Sequence, residues 1–346
     1  MPNPPRPASL KRIAEKAGVS AATVSRVLNQ RDKGFSVRPE VRQRVLTAAE
    51  SLNYRPDIVA QSLRQNRSRI VGILARHIPI NLPEGVLHGL LSVFDPAGLH
   101  LNIYCVPRSK SYQQLPPWRL DGAVAYGVVS PAEIQAVEDA GIPYVSLNGS
   151  AGPRGDVILY DDADGMRQAL NHLYGLGHRR IAYAHYGGLY AGHCSETARR
   201  DAYRTWMEQH GLAPMQGYDR PLPDPPDDYL NQTVRRRGAT AIVAYHHFQA
   251  VGLLQAAGRA NLSVPKDFSL VCFNDDYPVM FLNPALTVLR LPSEEAAAQG
   301  ARLLLQRIES PDRPRSSIIL KEVLVVRDST GPTGLSQNLN SPGGLK

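Results

Sequence analysis

Thr23, Ser25 and Arg26 lie within four residues of one another, just after a tight Ala17-Gly18-Val19-Ser20 turn. A guanidinium fork can hold the edge of a guanine through two parallel hydrogen bonds. Hydroxyls suit phosphate oxygens, contacts that position a protein without reading sequence. This is recognition chemistry, and no catalytic constellation competes with it. The chain has no glycine-rich dinucleotide fingerprint after a strand, no phosphate-cradling Walker loop and no Gly-x-Ser-x-Gly nucleophile elbow. Its ten histidines show no His-Glu-x-x-His spacing. His246 and His247 are neighbours at the end of an expected strand, where successive side chains point apart. They are not expected to share a metal. The chain is read as a non-enzyme that needs neither metal nor cofactor.

The charge distribution fits the same chemistry. Residues 1–70 carry 14 Lys/Arg against 5 Asp/Glu, while the remaining residues carry 25 against 26. A basic head on a neutral body is the electrostatic footprint of a protein that meets a polyanion. Cys105, Cys194 and Cys272 are too far apart in sequence for a metal-like pair and read as reduced thiols. No apolar run is long enough to cross a membrane, and the Pro-rich start lacks a secretory core, so a cytoplasmic, nucleoid-associated protein is expected.

The elements that must carry these side chains follow from periodicity and caps. Ser9 caps a helix over residues 11–17, with Ile13, Ala14 and Ala17 on one face, and Gly18 stops it. Ser20 caps a second helix over 21–28, with Val24, Val27 and Leu28 inward. Ala21, Ala22, Thr23, Ser25 and Arg26 are then left for a DNA major groove. A third helix covers 39–52, with Val41, Val45, Leu46 and Ala49 inward and Pro39 in its first turn.

From Arg69 onward, short apolar runs (70–75, 99–106, 123–126, 144–147, 180–184, 241–245, 270–273) alternate with helical stretches (162–176, 197–210, 249–260, 294–308). That alternation predicts an α/β body with parallel sheets covered by helices. Its length favours two lobes. The organisation expected is a disordered N-terminus over 1–8, a helix-turn-helix domain over 9–56, a hinge helix and linker over 57–69, a two-lobed body over 70–330 and a disordered tail over 331–346.

Residues 9–65 resemble the head of the lactose-repressor/galactose-repressor (LacI/GalR) family. The resemblance rests on Ala17-Gly18-Val19-Ser20-x-x-Thr23-Val24-Ser25-Arg26-Val27-Leu28-Asn29, then Arg42-x-Arg44-Val45-Leu46-x-Ala48-Ala49, then Leu52-x-Tyr54-Arg55-Pro56. It implies DNA contacts from Ser20, Ala21, Ala22, Thr23, Ser25, Arg26, Asn29, Arg42 and Tyr54. It also implies that residues 58–63 form a hinge helix that folds on DNA and pairs with its dimer mate, with Leu63 wedged into the minor groove and Ala60 one turn earlier. The chain departs from the family in a longer loop over 30–36, in Arg38 where a capping hydroxyl is usual, and in Asp57 where asparagine is usual.

The body resembles the same family's periplasmic-binding-protein-like core through Gly177-His178-Arg179-Arg180-Ile181, Val264-Pro265-x-Asp267 and Phe273-Asn274-Asp275. Matching positions imply an effector pocket built from Arg76, His77, Asn148, Asp161, Arg199, His246 and Asn274. An aromatic wall usual after the first strand is replaced by Pro79-Ile80-Asn81-Leu82-Pro83. Arg76, His77 and His246, with Asn274 in place of an aspartate, predict a less anionic pocket and an effector that carries negative charge or is not a plain sugar. The implied function is a repressor that binds palindromic operator DNA as a homodimer, with affinity set by a small molecule in the interlobe cleft. The alternatives are a solute-binding protein or an enzyme on the same two-lobed fold.

Overall fold

The computed structural model describes residues 9–28, 37–54, 67–75, 82–105, 120–127, 131–185, 193–215 and 226–334. The chain separates into two compact units, Met1–Ser68 and Arg69–Lys346.

The first unit holds α1 (Leu10–Ala17), α2 (Ala21–Leu28) and α3 (Pro39–Ser51). Ser9 Oγ accepts from the Arg12 N–H, and Gly18 ends α1 in the left-handed region (φ 63°) with its N–H on the Ala14 carbonyl. Such a φ is nearly free of strain only for glycine. Ser20 Oγ accepts from the Thr23 N–H at 3.1 Å and opens α2 one residue later. Ile13, Ala14 and Ala17 meet Val24, Val27, Val45, Ala48 and Ala49 in the core of this unit. Ala48 joins Val45, Ala49 and half-buried Leu52 at positions i, i+3, i+4 and i+7, so Leu46 turns outward and is 42% exposed. Leu46 therefore does not face inward as its apolar character predicted. Arg38 makes no side-chain cap to α3.

In the second unit, the chain first builds one lobe from β1 (Ile70–Ala75), α4 (Glu84–Phe94), β2 (His100–Cys105), β3 (Gly122–Tyr126), α5 (Pro131–Asp139), β4 (Tyr144–Leu147) and β5 (Asp156–Tyr160). It crosses to the other lobe for α6 (Asp162–Gly175), β6 (Ile181–Ala184), α7 (Cys194–Gln209), α8 (Asp227–Leu230, running on into a π-helical turn), β7 (Ala241–Ala244), α9 (His247–Arg259), β8 (Ser269–Phe273) and β9 (Thr287–Arg290). It returns with α10 (Ser293–Glu309) and β10 (Ser317–Leu320), then crosses a third time to β11 (Val323–Val325).

The first sheet is parallel throughout, in the order β10-β5-β4-β3-β1-β2. The second runs β11-β9-β8-β7-β6, with only β11 antiparallel. In the second sheet, Ile242, Ala244, Leu270 and Cys272 pack on one face, and Ala241, Val243, Val271 and Phe273 on the other. Burial on both faces explains why these strands read as unbroken apolar runs. In the first lobe, α10 lies along α4. A Cβ on Gly89 would come within 2.2 Å of the Glu294 carbonyl oxygen, so only glycine lets the two helices approach this closely.

Residues 331–334 are not a loose tail, contrary to their composition. The Gly331 carbonyl accepts from His178 Nε2 at 2.9 Å, and the Thr333 N–H reaches the Leu176 carbonyl at 3.0 Å. The strands expected over 99–106 and 180–184 and the helix over 197–210 form with shifted ends, α7 starting three residues earlier because His193 caps it. The loop over 30–36, the hinge segment over 57–66 and the stretch over 107–119 lie outside the described residues.

Candidate functional site

Two surfaces carry the chemistry. The first is the outer side of α2. Ala21, Ala22 and Arg26 are exposed, while Thr23 and Ser25 are half-buried. Ser20 Oγ sits 2.9 Å from Thr23 Oγ1, so the cap and the first turn of the helix are tied together. Val19 packs against the core between α1 and α2 and fixes how α2 is presented. Arg42 is half-buried on α3, and Tyr54 packs against the same core, its N–H on the Ala49 carbonyl. Lys11, Arg12, Lys16, Arg38 and Arg44 are exposed on this unit, giving it a basic surface. A short, solvent-facing helix with small residues at its start and an arginine one turn on fits the width of a DNA major groove. Asn29, Ala60 and Leu63 lie outside the described residues.

The second surface is a cleft of about 1060 Å³ between the two lobes of the body. One wall comes from residues 82–85, Tyr126, Gly127 and Asn148, the other from His193, Ser195, Arg199, residues 245–248 and residues 274–281; the crossover at 290–295 closes the back. Of the effector residues the resemblance implied, Asn148, Arg199, His246 and Asn274 line this cleft. Asp161 does not. Its Oδ1 accepts from the Asp164 N–H at 3.0 Å and caps α6, so it is spent on the helix end. Arg76 and His77 lie outside the described residues.

Arg199 is the most constrained side chain of the cleft. Its Nε donates to Asp162 Oδ1 at 2.6 Å and its Nη1 to the Tyr245 carbonyl at 2.7 Å. Glu322 Oε1 stands 3.7 Å from Nη2, and the guanidinium lies 3.7 Å from the centre of the Phe273 ring. Burial works against its charge, but Asp162 and Glu322 outweigh it and hold its pKa above the usual arginine value. Burial pushes the Glu322 carboxyl well above the carboxylate range, against the pull of Arg199. Asp162 follows the first crossover and Glu322 lies in the third, so Arg199 ties two of the three inter-lobe connections together. Neither partner was foreseen from sequence, because they lie 37 and 123 positions from the arginine.

Direct bonds also span the cleft. His193 Nε2 donates to the Asn148 carbonyl at 2.6 Å, while its Nδ1 accepts from the Ser195 N–H at 3.3 Å. Ser195 Oγ donates to Asn148 Oδ1 at 3.3 Å. One ring nitrogen donates and the other accepts, which defines a neutral imidazole; burial lowers its pKa in the same direction. Asn148 itself sits at φ 50°, a left-handed position that asparagine tolerates. His193 and Ser195 are functional candidates that sequence reading missed.

His246 caps α9 through Nδ1, which accepts from the Phe248 N–H at 3.3 Å. The rings of His246 and His247 stack, with centres 4.2 Å apart, rather than pointing apart. The reason is that they stand at a helix start and not on the strand, which ends at Ala244. Burial, then His247 and Arg199, push the His246 pKa well down; burial alone lowers that of His247 to about 4. Among the described residues no cluster of histidine, cysteine or carboxylate side chains could hold a metal ion.

The described walls are more acidic than the sequence implied. Glu84, Asp275, Asp276, Glu294 and Glu295 line them, against Arg199 and Arg290. Arg290 and Arg327 both donate to Asp275 at 2.8 Å. Aromatic rings are present too, but come from Tyr126, Tyr245, Phe248, Tyr277 and Phe281 instead of the segment after β1.

Known proteins resemble the chain along most of its length. Residues 9–57 match the family described as bacterial regulatory proteins, lacI family, and residues 170–330 match the periplasmic binding protein-like domain. The chain is 30% identical to an uncharacterized HTH-type transcriptional regulator in the aml 5'region of Streptomyces limosus, over 93% of this chain and 94% of that protein. It is 28% identical to the HTH-type transcriptional repressor MelR of Bacillus subtilis (strain 168), over 94% of this chain and 98% of the relative. Among solved structures, the Lac repressor dimer bound to operator and the anti-inducer ONPF superposes with a TM-score of 0.79 at 25% identity, covering 94% of this chain and all of that one. These relatives are named as regulators of transcription, not as enzymes.

Proposed function

The chain belongs to the lacI family of HTH-type transcriptional regulators, and from that premise we propose that it is a repressor that binds a palindromic operator as a homodimer and is controlled by a small molecule in the interlobe cleft. The observation that carries the reading is the exposed face of α2, where Ala21, Ala22 and Arg26 stand on a basic three-helix unit. Arg26 takes a guanine edge, and the two alanines admit close approach without reading polar base edges themselves. Ser20, Thr23, Ser25, Asn29, Arg42 and Tyr54 are assigned to backbone and flanking contacts, and Ala60 and Leu63 to the hinge and the minor groove.

A palindrome needs two heads related by a two-fold axis, so the body must dimerise. The lac repressor, a similar protein, is a dimer on its operator. Asn148, Arg199, His246 and Asn274 are the effector contacts, joined by His193 and Ser195. A ligand entering the cleft competes for Asn148 and Ser195, whose mutual bond joins the lobes. Its affinity for one lobe arrangement over another sets the shift in operator affinity. The protein acts in the cytoplasm, on the nucleoid.

Sedimentation of the full chain with labelled duplexes tests the reading. Two chains per palindromic duplex are expected, with a single half-site bound at least roughly a hundredfold more weakly. One chain per duplex, with half and full sites bound alike, overturns the homodimeric reading.

A further inference from the structure

Asp276 and His247 face each other inside the cleft and leave a gap. His247 Nδ1 stands 3.8 Å from Asp276 Oδ2, beyond hydrogen-bond reach. The His247 side chain is 5% exposed, and its Nδ1 is buried with no hydrogen-bond partner. Asp276 keeps 31% of its side chain open and takes a hydrogen bond from Asn274. Both residues line the cleft. The guanidinium groups on the described walls are engaged elsewhere, Arg199 by Asp162 and the Tyr245 carbonyl, Arg290 by Asp275. A carboxylate oxygen and an orphaned imidazole nitrogen thus wait 3.8 Å apart beside other carboxylates.

We infer that Asp276 and His247 form the subsite that decides the charge of the effector: it takes a hydrogen-bond-donating group, hydroxyl or ammonium, and turns away carboxylates and phosphates. This rests on the cleft being the effector site, and it reverses the charge expected from sequence alone. A bridging hydroxyl donates to Asp276 and meets His247 with its remaining valences. An ammonium does the same with a full charge facing the carboxylate. An anionic group faces Asp276 on walls that also carry Glu84, Glu294 and Glu295, where Arg290 is already paired with Asp275 and Arg199 with Asp162, so it meets net repulsion. Burial keeps His247 neutral, so no charge on its ring draws an anion into the subsite.

Calorimetry on the full chain tests this with matched sets: glucose, glucosamine, glucuronate and glucose 6-phosphate; the galactose equivalents; and cellobiose, maltose and melibiose with their uronic acids. Operator affinity is followed in the same solutions. The expected result is that a neutral or amino member binds, and its acid or phosphate counterpart binds at least roughly a hundredfold more weakly. A tighter amino member places an ammonium on Asp276; a tighter neutral member places a hydroxyl there. The near-isosteric Asp276→Asn should shrink the discrimination to about tenfold or less, and His247→Gln should weaken the donor ligand without admitting the anion. An anion bound as tightly as its neutral partner, discrimination unchanged in Asp276→Asn, or no binding by any neutral or amino member overturns the inference. Operator release by an anion refutes this subsite and leaves the repressor reading standing. Charge-selective binding with no effect on operator affinity does the reverse.

Discussion

Replacing Arg199 with alanine should destabilise the body, whatever it does to ligand binding. The side chain is 3% exposed and faces two carboxylates that are equally buried, Asp162 at 4% and Glu322 at 0%. Removing the guanidinium leaves that pair of acids buried together without a counter-charge. It also leaves the Tyr245 carbonyl without its donor and the Phe273 ring without the plane stacked on it. Breaking a buried pair from one side costs about 3–5 kcal/mol. For a body of this size that is a fall in melting temperature of roughly 6–20 °C. Urea denaturation of the full chain, followed by circular dichroism and by tryptophan emission, measures the loss directly. Arg199→Lys, which keeps a charge but not the fork, should lose less than the alanine variant. A loss below about 1 kcal/mol for Arg199→Ala would refute the claim that this cluster holds the crossovers together.

Glu322→Gln should be nearly neutral in acid and stabilising relative to the parent above neutrality. The sign follows from the raised pKa of the folded-state carboxyl: its contribution is fully present below the unfolded value and is lost as pH rises through the folded one. Stability against pH should therefore be flatter in the variant, and equal slopes would count against the assignment. Gly18→Ala should destabilise the head by about 1–2 kcal/mol through backbone strain alone, since the nearest atom to the added Cβ is Arg44 Nη1 at 4.0 Å; thermal melts of the head signal measure it. Arg26→Ala should relax preference at one operator position by about 1–3 kcal/mol and shift the stability of the head by no more than about 0.5 kcal/mol, as at other exposed positions. Competition binding with base-substituted duplexes reads the first quantity and melting reads the second.

The head was nearly complete in the sequence because its determinants are local. Ser9, Gly18 and Ser20 mark helix ends by caps a few residues away, and Ile13, Ala17, Val24 and Val27 mark buried faces by period. Leu46 misled because apolar character alone does not set helix phase; Ala48, a smaller residue, fits the position that packs. In the body, the apolar runs located many of the strands, but nothing local reveals that the chain crosses between lobes three times. The partners of Arg199 are invisible for that reason, and so is the bond from His193 to Asn148, 45 positions away. Asp161 and Asp162 cannot be told apart in sequence. The structure gives one to a helix cap and the other to Arg199. The charge of the cleft went unread because its carboxylates arrive from three separate segments, at Glu84, at Asp275–Asp276 and at Glu294–Glu295.

The central claim is that the surface of α2 reads DNA sequence. Repeated selection of bound duplexes from a random pool by the full chain, followed by sequencing and affinity measurement at fixed moderate salt, tests it most directly. The prediction is an enriched inverted repeat bound at least roughly a thousandfold more tightly than random duplex, with enrichment at one position per half-site lost in Arg26→Ala. A pool that stays random after selection, or an enriched motif untouched by that substitution, would contradict it.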